Sequence, residues 1–318
     1  MQSANKPQSQ HEPAPSRSSI LGLDALTFLM ADVRDGVGPY LSVFLKGSLQ
    51  WQSGEIGIAM AAGSITAAIC QIPAGLLVDS VRAKRLLVVI SGLMVGLGCL
   101  LVVCVPKLVV VLSAQATLGA ASAIIPPALA ALSLGIVGRK LFPTRVSRNE
   151  SFNHGGNFAA AILAGTVGQR FGYHWIFYLV CLFALGSAAA VVLIRPHEIN
   201  HTVARGGDDK DPRTEAGQSG RAIPIPDLFK RRDLMIFLVS VVLFHFGNAA
   251  MLPMAGQVLA KTHPGADIIA LSACIITAQL VMIGVAATVG WQCAEALDAR
   301  QSSSWPLLPC QFADSCSR

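Results

Sequence analysis

Charged residues are scarce in this sequence. Asp, Glu, Lys and Arg make up 13% of its 318 residues, about half of the roughly 25% found in soluble domains. Hydrophobic residues reach 53%, and the mean hydropathy is +0.57. So little charge cannot cover a water-facing surface, which excludes an ordinary soluble enzyme and a disordered chain. The composition instead predicts an integral membrane protein with several transmembrane segments.

The sequence motifs of enzymes and metal sites are also missing. The eight cysteines form no Cys-x-x-Cys pair and have no histidine at ligand spacing, so they predict neither a metal site nor a disulfide framework. The sequence also lacks a nucleophile beside a base and a phosphate-binding loop. We therefore expect no cofactor and no catalytic activity. Five cysteines fall in apolar stretches, where they are expected as small apolar filler: Cys70, Cys99, Cys104, Cys181 and Cys274.

Long uncharged stretches define the predicted helices. A helix needs about 20 apolar residues to cross the hydrocarbon core, and seven intervals between charged residues contain at least 19. Residues 20–45 are apolar but carry four charges, and they bring the number of predicted helices to eight. The stretches lack the period-two alternation of membrane strands, so the predicted fold class is all-α. The seven intervals lie between Glu55 and Asp79, Arg85 and Lys107, Lys107 and Arg139, Glu150 and Arg170, Arg170 and Arg195, Asp233 and Lys261, and Asp267 and Glu295.

Basic residues are distributed unevenly between the two ends of the predicted helices. With the N-terminus in the cytoplasm, 17 Lys and Arg residues fall in cytoplasmic segments and four fall outside. This distribution follows the positive-inside rule and predicts a cytoplasmic N-terminus. It also accounts for the net charge of +6 without a nucleic-acid partner.

Polar stretches divide the chain into five predicted parts. Residues 1–19 form a cytoplasmic segment, residues 20–194 a complete six-helix half, and residues 195–233 a polar linker loop. Residues 234–290 supply two helices of a second half. The tail, residues 291–318, differs abruptly in composition and contains five Ser and three Cys. We interpret it as the product of a frameshift or a truncated gene model, with a natural eight-helix protein as the alternative.

Charged and polar residues within the predicted helices are the candidates for a solute or proton site, because charges in a bilayer are costly. Asp32 and Asp35 repel each other when both are ionised, which suits proton coupling. Arg34 either receives an anion or pairs with a carboxylate to lock the helix packing. Asp24 lies near the cytoplasmic end, where we expect a helix-start or gating residue. Asn157 in the fifth helix either lines the cavity or forms an interhelical hydrogen bond.

A weak repeat adds candidates from the second half. An offset of 213 residues places Asp32 over His245 and Asp35 over Asn248. Polar pairs at matching depth are expected where two repeats enclose a site near the middle of the membrane. His245 and Asn248 are therefore candidate cavity residues, with Gln279 in the eighth helix behind them. A structural role for His245 is the alternative.

The loop after the second predicted helix contains a family signature. The eleven residues from Gly75 read Gly-Leu-Leu-Val-Asp-Ser-Val-Arg-Ala-Lys-Arg, which resembles the Gly-x-x-x-Asp-Arg-x-Gly-Arg-Lys-Arg signature of the major facilitator superfamily. Gly75, Asp79, Lys84 and Arg85 match, whereas Arg82 stands where the family has glycine. The resemblance implies that Asp79 caps or pairs near a helix terminus. It also implies that Lys84 and Arg85 hold the cytoplasmic gate.

Two further stretches are similar to the same family. The fourth helix resembles the pattern Arg-x-x-x-Gly-x-x-x-Ala, with Gly119 and Ala123 in place. Gln115 stands where the pattern has the arginine to which proton coupling is assigned. Residues 172–177 are similar to the Gly-Trp-Arg-x-x-Phe opening of the sixth helix. Together the resemblance covers residues 20–290.

The resemblance implies a major-facilitator-type helical bundle, with a complete first half and two helices of the second half. It also implies a secondary transporter that works by alternating access. We expect a small solute and protons as partners, within a bacterial inner membrane. The carboxylates favour a cation or a neutral polar solute, whereas Arg34 favours an anion. A non-transporting sensor or assembly partner, or an inactive truncated transporter, is the alternative function.

Overall fold

The computed structural model describes residues 15–35, 37–206, 230, 232–248, 250–262 and 265–302, without the side chains at 35, 37, 233, 290 and 293–302. Every regular element in these ranges is helical. The elements in chain order are α1 (Arg17–Asp35), α2 (Val37–Val43), a π-helix (Phe44–Ser48), α3 (Ser53–Ser80), α4 (Lys84–Cys104), α5 (Leu108–Phe171), α6 (His174–Val192), two 3-10 turns (Pro196–Glu198 and Val203–Arg205), α7 (Arg232–Asn248), α8 (Met251–Thr262) and α9 (Asp267–Ser302).

The helices account for the eight predicted membrane crossings. Within the described ranges, six helical stretches are long and apolar enough to cross a membrane. The longest, α5, provides two crossings because it turns back on itself. The charged first crossing is formed by α1 and α2. The last stretch ends at Val289, although α9 continues to Ser302.

The turn within α5 is made at Gly138. Its φ of 72° and ψ of 170° are not helical, and a positive φ favours glycine because glycine has no Cβ. The two arms of α5, residues 108–137 and 139–171, lie side by side, since Asn149 Nδ2 donates to Ser133 Oγ over 2.8 Å. In a straight helix, this separation of 16 residues would span about 24 Å. The arms are the predicted fourth and fifth helices.

Charged residues of the first crossing lie near the end of α1. α1 ends at Asp35 and α2 begins at Val37, while Gly36 lies outside the described residues. Asp32 and Arg34 therefore occupy the last turn of α1.

Glycines bring the helices of the first half into close contact. A Cβ on Gly119 would lie 2.2 Å from the carbonyl oxygen of Gly63, and one on Gly156 would lie 2.0 Å from that of Phe28. Small residues at such crossings let helix backbones approach each other in lipid. The core lies between α1, α4, α5 and α6, and its large buried side chains include Leu23, Leu26, Met30, Val88, Val95, Leu132, Phe177 and Val180.

The start of the predicted linker packs against the bundle. Ile199 and Val203, which belong to the segment after α6, are buried. The N–H of Asn200 donates to the carbonyl oxygen of Gly135 over 2.8 Å. Residues 196–206 are thus held against α5 by their apolar side chains, a contact that the polar-linker prediction did not include. The following residues, 207–229, lie outside the described part of the chain.

The two ends of the bundle differ in charge. We call the end that carries Arg85, Arg145 and Arg195 the basic end, and the end that carries Tyr173 and Asp267 the opposite end. The N-terminal part of α1 lies at the basic end, and the hydrophobic stretches then alternate in direction.

Candidate functional site

A cavity of about 290 Å³ lies between α1, α2, α3, α4 and the first arm of α5. The polar side chains among its described lining residues are those of Arg34, Ser64, Gln115 and Ser122. None of the described lining residues is a carboxylate. The large apolar side chains of the lining are Val33, Leu41, Met60, Val95 and Leu118.

Asp32 and Arg34 lie on different faces of α1. Two residues of helix correspond to a rotation of about 200°, so the two side chains point in nearly opposite directions. Arg34 is exposed in the cavity wall, whereas Asp32 is 6% exposed and does not line the cavity. Tyr40 and Cys99, which are also buried, lie within electrostatic range of Asp32. The side chain of Asp35 lies outside the described residues.

Tyr40 connects this region to the second half of the chain. Its hydroxyl is buried and lies 2.9 Å from Ser272 Oγ of α9, within hydrogen-bonding distance. Nearby, Ser42 Oγ lies 3.3 Å from the Pro253 carbonyl oxygen of α8. Tyr40, which lies within electrostatic range of the buried Asp32, therefore takes part in a contact between the two halves.

The fourth-helix motif forms one wall of the cavity. Gln115 lines the cavity, and its Oε1 would lie 2.9 Å from a Cβ on Gly63. Gly119 provides the close contact with α3, and Ala123 is buried. The motif thus combines helix packing with one amide that faces the cavity.

The signature loop caps a helix at the basic end. Lys84 is buried, and its Nζ donates to the carbonyl oxygens of Val78 over 2.6 Å and Val81 over 3.2 Å. These carbonyls belong to the C-terminal end of α3, where a cation is favourable. Asp79 is exposed and makes no hydrogen bond or ion pair with a described residue. Lys84, rather than Asp79 as expected, therefore caps the helix terminus.

The other signature residues lie around this cap. Arg85 Nη2 and Nε donate to the carbonyl oxygen of Val191 in α6, over 2.8 and 3.2 Å. Arg82 is exposed, and Gly75 has no neighbour within 4 Å of the position that a Cβ would occupy. The loop therefore ties α3 and α4 to α6 at the basic end.

The comparison with known families agrees with this arrangement. The family model of the Major Facilitator Superfamily matches residues 23–294. This chain belongs to the Major Facilitator Superfamily. It is accordingly an integral membrane protein with several transmembrane helices.

Two relatives carry the same family name. An uncharacterized MFS-type transporter of Mycobacterium tuberculosis (strain CDC 1551 / Oshkosh) is 41% identical over 272 residues, which are 84% of this chain. A second, from Mycobacterium tuberculosis (strain ATCC 25618 / H37Rv), has the same identity and coverage. The chain spans 63% of the length of these relatives.

The second-half candidates of this major facilitator protein lie apart from the cavity. His245 is exposed, and its Nδ1 lies 3.0 Å from the carbonyl oxygen of Val241 in the same helix. Asn248 is also exposed, and its Nδ2 donates to the Phe244 carbonyl oxygen over 2.7 Å. The repeat predicts the depth of these residues in the membrane, but it carries no information on which way α7 faces.

Gln279 and Asn157 are also separate from the described cavity lining. Gln279 Oε1 lies 2.7 Å from His154 Nδ1, so it pairs α9 with the second arm of α5. Ser147 Oγ donates to the Ala286 carbonyl oxygen over 2.8 Å in the same interface. Asn157 is half-buried in that arm. Gln279 is thus a contact between the halves of this major facilitator protein.

An ion-pair network at the basic end was not predicted. Asp24 is 3% exposed and accepts two hydrogen bonds from Arg148, of 2.6 and 3.0 Å. Arg145, which is 4% exposed, places Nη1 2.9 Å from the same carboxylate. The spacing of the two arginines puts them on one helix face, but nothing in the sequence identifies a partner more than 100 residues away. The network joins α1 to the second arm of α5.

A contact at the opposite end was also missed. Tyr173 Oη donates to Asp267 Oδ2 over 2.7 Å, and Gln169 Nε2 donates to the Gly265 carbonyl oxygen over 2.5 Å. Tyr173 precedes α6, whereas Asp267 begins α9, so these bonds join the two halves. Burial and the hydrogen bond to the negatively charged Asp267 raise the pKa of Tyr173.

The raised pKa of Tyr173 predicts a loss of stability at high pH. A tyrosine with an ordinary pKa near 10 deprotonates in the unfolded state before it does so in the folded state. The stabilisation by Tyr173 is therefore complete below about pH 10 and falls as the pH rises further. We expect Tyr173→Phe to remove this part of the alkaline loss, measured as the thermal midpoint in detergent between pH 8 and 12. Tyr178→Phe is the matched control, and an identical alkaline loss in wild type and Tyr173→Phe would contradict the assignment.

Proposed function

We propose that the protein is a proton-coupled secondary transporter of a small solute that works by alternating access. The observation that carries this proposal is the orientation of the last turn of α1. It places Arg34 in the wall of a cavity and buries Asp32 on the other face of the same turn. A proton and a solute thus have separate sites on one short segment.

The coupling follows from the neighbours of Asp32. An ionised Asp32 acts on the Tyr40 hydroxyl, which is bonded to Ser272 in the other half. Protonation of Asp32 removes that charge and changes the strength of the hydrogen bond between Tyr40 and Ser272. A conformational change requires such a difference in free energy between two states. In this proposal, proton binding biases the contact between the halves.

In this proposal, the contacts between the halves at the two ends of the bundle open and close in turn. At the opposite end, Tyr173 with Asp267 and Tyr40 with Ser272 join them. Toward the basic end, Ser147 bonds to the backbone of α9 at Ala286. Rocking of one half against the other would break the contacts of one end and preserve those of the other.

The proposal also includes location and organisation. The basic end is assigned to the cytoplasm of a bacterial inner membrane, because 17 basic residues fall on that side against four on the other. The polar linker, residues 195–233, would connect a six-helix half, residues 20–194, with the helices in residues 234–290.

The test of coupling uses proteoliposomes that contain a pH-sensitive dye. A panel of small carboxylates, amines and neutral sugars is added, and both lumenal pH and solute uptake are followed. Asp32→Asn is expected to lower proton-coupled uptake by about 100-fold, as for loss of a proton-transferring side chain, while solute exchange without a gradient is retained. Glu150→Gln, a change at an exposed carboxylate, is the control. Unchanged proton movement in Asp32→Asn would reject the coupling, and no flux of any solute would reject transport.

A non-transporting membrane protein is the second proposal. It is favoured by α7, whose described side chains are largely exposed, including Phe237, Phe244 and Phe246. Such an apolar face contacts either lipid or another protein. A sensor or assembly partner would bind a solute in the same panel without moving it across the membrane.

A further inference from the structure

We propose that the cavity beside α1 binds the negatively charged group of a small organic anion, and that Arg34 is its main ligand. This inference rests on the proposed transport function, since it names the solute class of that same cavity. It chooses between the two solute classes that the charges of the first helix allow.

The orientation of α1 determines which sign of solute charge the cavity favours. The sequence places carboxylates and an arginine within four residues, so it favours neither sign of charge. The fold turns Arg34 into the cavity wall and buries Asp32 on the other side of the helix. Among the described residues that line the cavity, the formal charge is therefore positive.

The remaining polar groups fit an anion with a hydrogen-bonding body. The amide of Gln115 offers donors, and the guanidinium of Arg34 binds carboxylates and phosphates through paired N–H groups. The hydroxyls of Ser64 and Ser122 donate to carbonyl oxygens in their own helices, over 3.3 and 3.1 Å. Their oxygen lone pairs are thus available to accept a hydrogen bond from the solute.

The size and the apolar lining define the rest of the solute. A volume of about 290 Å³ corresponds to roughly ten water volumes of 30 Å³ each. Met60, Leu41, Val95 and Leu118 cover one part of the wall with hydrocarbon. The fitting solute is therefore a small anion whose body is apolar on one side and donates hydrogen bonds on the other, such as a hydroxylated aromatic carboxylate with benzoate as its core.

Three probes of nearly equal shape test the sign of charge. Benzoate, benzamide and benzamidine are negative, neutral and positive at pH 7, and each is titrated into the purified full chain in detergent. The readouts are the thermal midpoint and the dissociation constant from calorimetry. We expect benzoate to bind at least about tenfold more tightly than the other two, because a charge-assisted bidentate pair replaces a neutral contact.

Variants of Arg34 then locate the binding. Arg34→Gln is expected to weaken benzoate binding at least about tenfold, and Arg34→Lys to weaken it less, because the ammonium keeps the charge but loses the paired geometry. Lys107→Gln removes an exposed cation outside the cavity and is expected to leave the affinity unchanged. Gel filtration and the thermal midpoint without ligand show whether each variant is folded.

The outcomes separate this inference from transport itself. Preference for benzamidine or benzamide, the same benzoate affinity in Arg34→Gln, or no binding of benzoate would each overturn the anion assignment. Flux of an amine or a sugar in the proteoliposome panel would then leave the transport proposal standing. Benzoate binding without flux of any solute would support the anion site and reject transport.

Discussion

Replacement of Asp24 by alanine is expected to destabilise the protein by about 3–5 kcal/mol, the range for breaking a buried ion pair by removal of one partner. Asp24 and Arg145 are almost completely buried, and Arg148 makes two hydrogen bonds to the same carboxylate. Loss of the carboxylate leaves the Arg145 guanidinium buried without its counter-charge. The same change also separates α1 from the second arm of α5, so the first half loses rigidity.

The measurement is the free energy of unfolding in mixed detergent, with thermal midpoints as a second readout. Glu150→Ala removes an exposed carboxylate close to the same helix end and is expected to change stability by less than about 0.5 kcal/mol. The double variant Asp24→Ala with Arg145→Met is expected to recover part of the loss, because it removes the unpaired charge. A loss below about 1 kcal/mol for Asp24→Ala would show that Arg145 is hydrated without its partner.

Replacement of Gly156 by alanine is expected to cost about 3 kcal/mol, at the upper end of ordinary overpacking. The added Cβ would lie 2.0 Å from the Phe28 carbonyl oxygen and 2.8 Å from the Ala31 side chain. Neither distance is possible without movement of a backbone, so α1 and the second arm of α5 must separate. This movement also displaces the turn that carries Asp32 and Arg34.

The neighbouring glycine is the matched control. In Gly155→Ala the new Cβ would lie 3.8 Å from the Phe28 ring, an ordinary van der Waals contact, so stability is expected to stay within about 0.5 kcal/mol. Both variants add the same methyl group to the same helix and have the same helix propensity. Equal effects of the two substitutions on the unfolding free energy would contradict the close helix crossing.

The crossings could be predicted because the constraint on them is local. A helix in lipid must satisfy its own backbone hydrogen bonds and hide them behind apolar side chains, so uninterrupted apolar stretches define it. The turn within α5 was predicted in the same way, since Arg139 and Lys140 interrupt the apolar sequence beside Gly138. The packing of residues 196–206 was missed because polar composition indicates exposure only on average.

The candidate site was only partly predictable, and Asp32 and Arg34 show why. Their cost within a bilayer identifies both as candidates, but the sequence does not say which face of α1 meets the cavity. His245 and Asn248 were chosen from a repeat that predicts depth alone, and in the structure both are exposed on α7 and neither is among the described residues of the cavity lining. Such orientations depend on neighbours that are distant in sequence.

The contacts between distant residues had no sequence signal at all. In the sequence, Tyr173 and Asp267 lie near predicted helix ends and have no distinguishing feature. They form a contact between the halves because the fold brings the start of α6 close to the start of α9. Asp24 was singled out as a helix-start or gating residue, whereas its two arginine partners were counted only as topology signals. The charge pattern of one helix does not identify the residue on another helix with which it forms an ion pair.

The sequence by itself determined that this chain is an all-α membrane protein, how its helices are ordered and which family it resembles. Those features depend on hydrophobic length, charge distribution and short motifs, each of which is local in the chain. The tertiary structure decided which side chain of α1 lines the cavity, which carboxylate holds the arginines and where the halves touch. Those features depend on close packing between helices, where a single glycine or a rotation of one residue changes which groups meet.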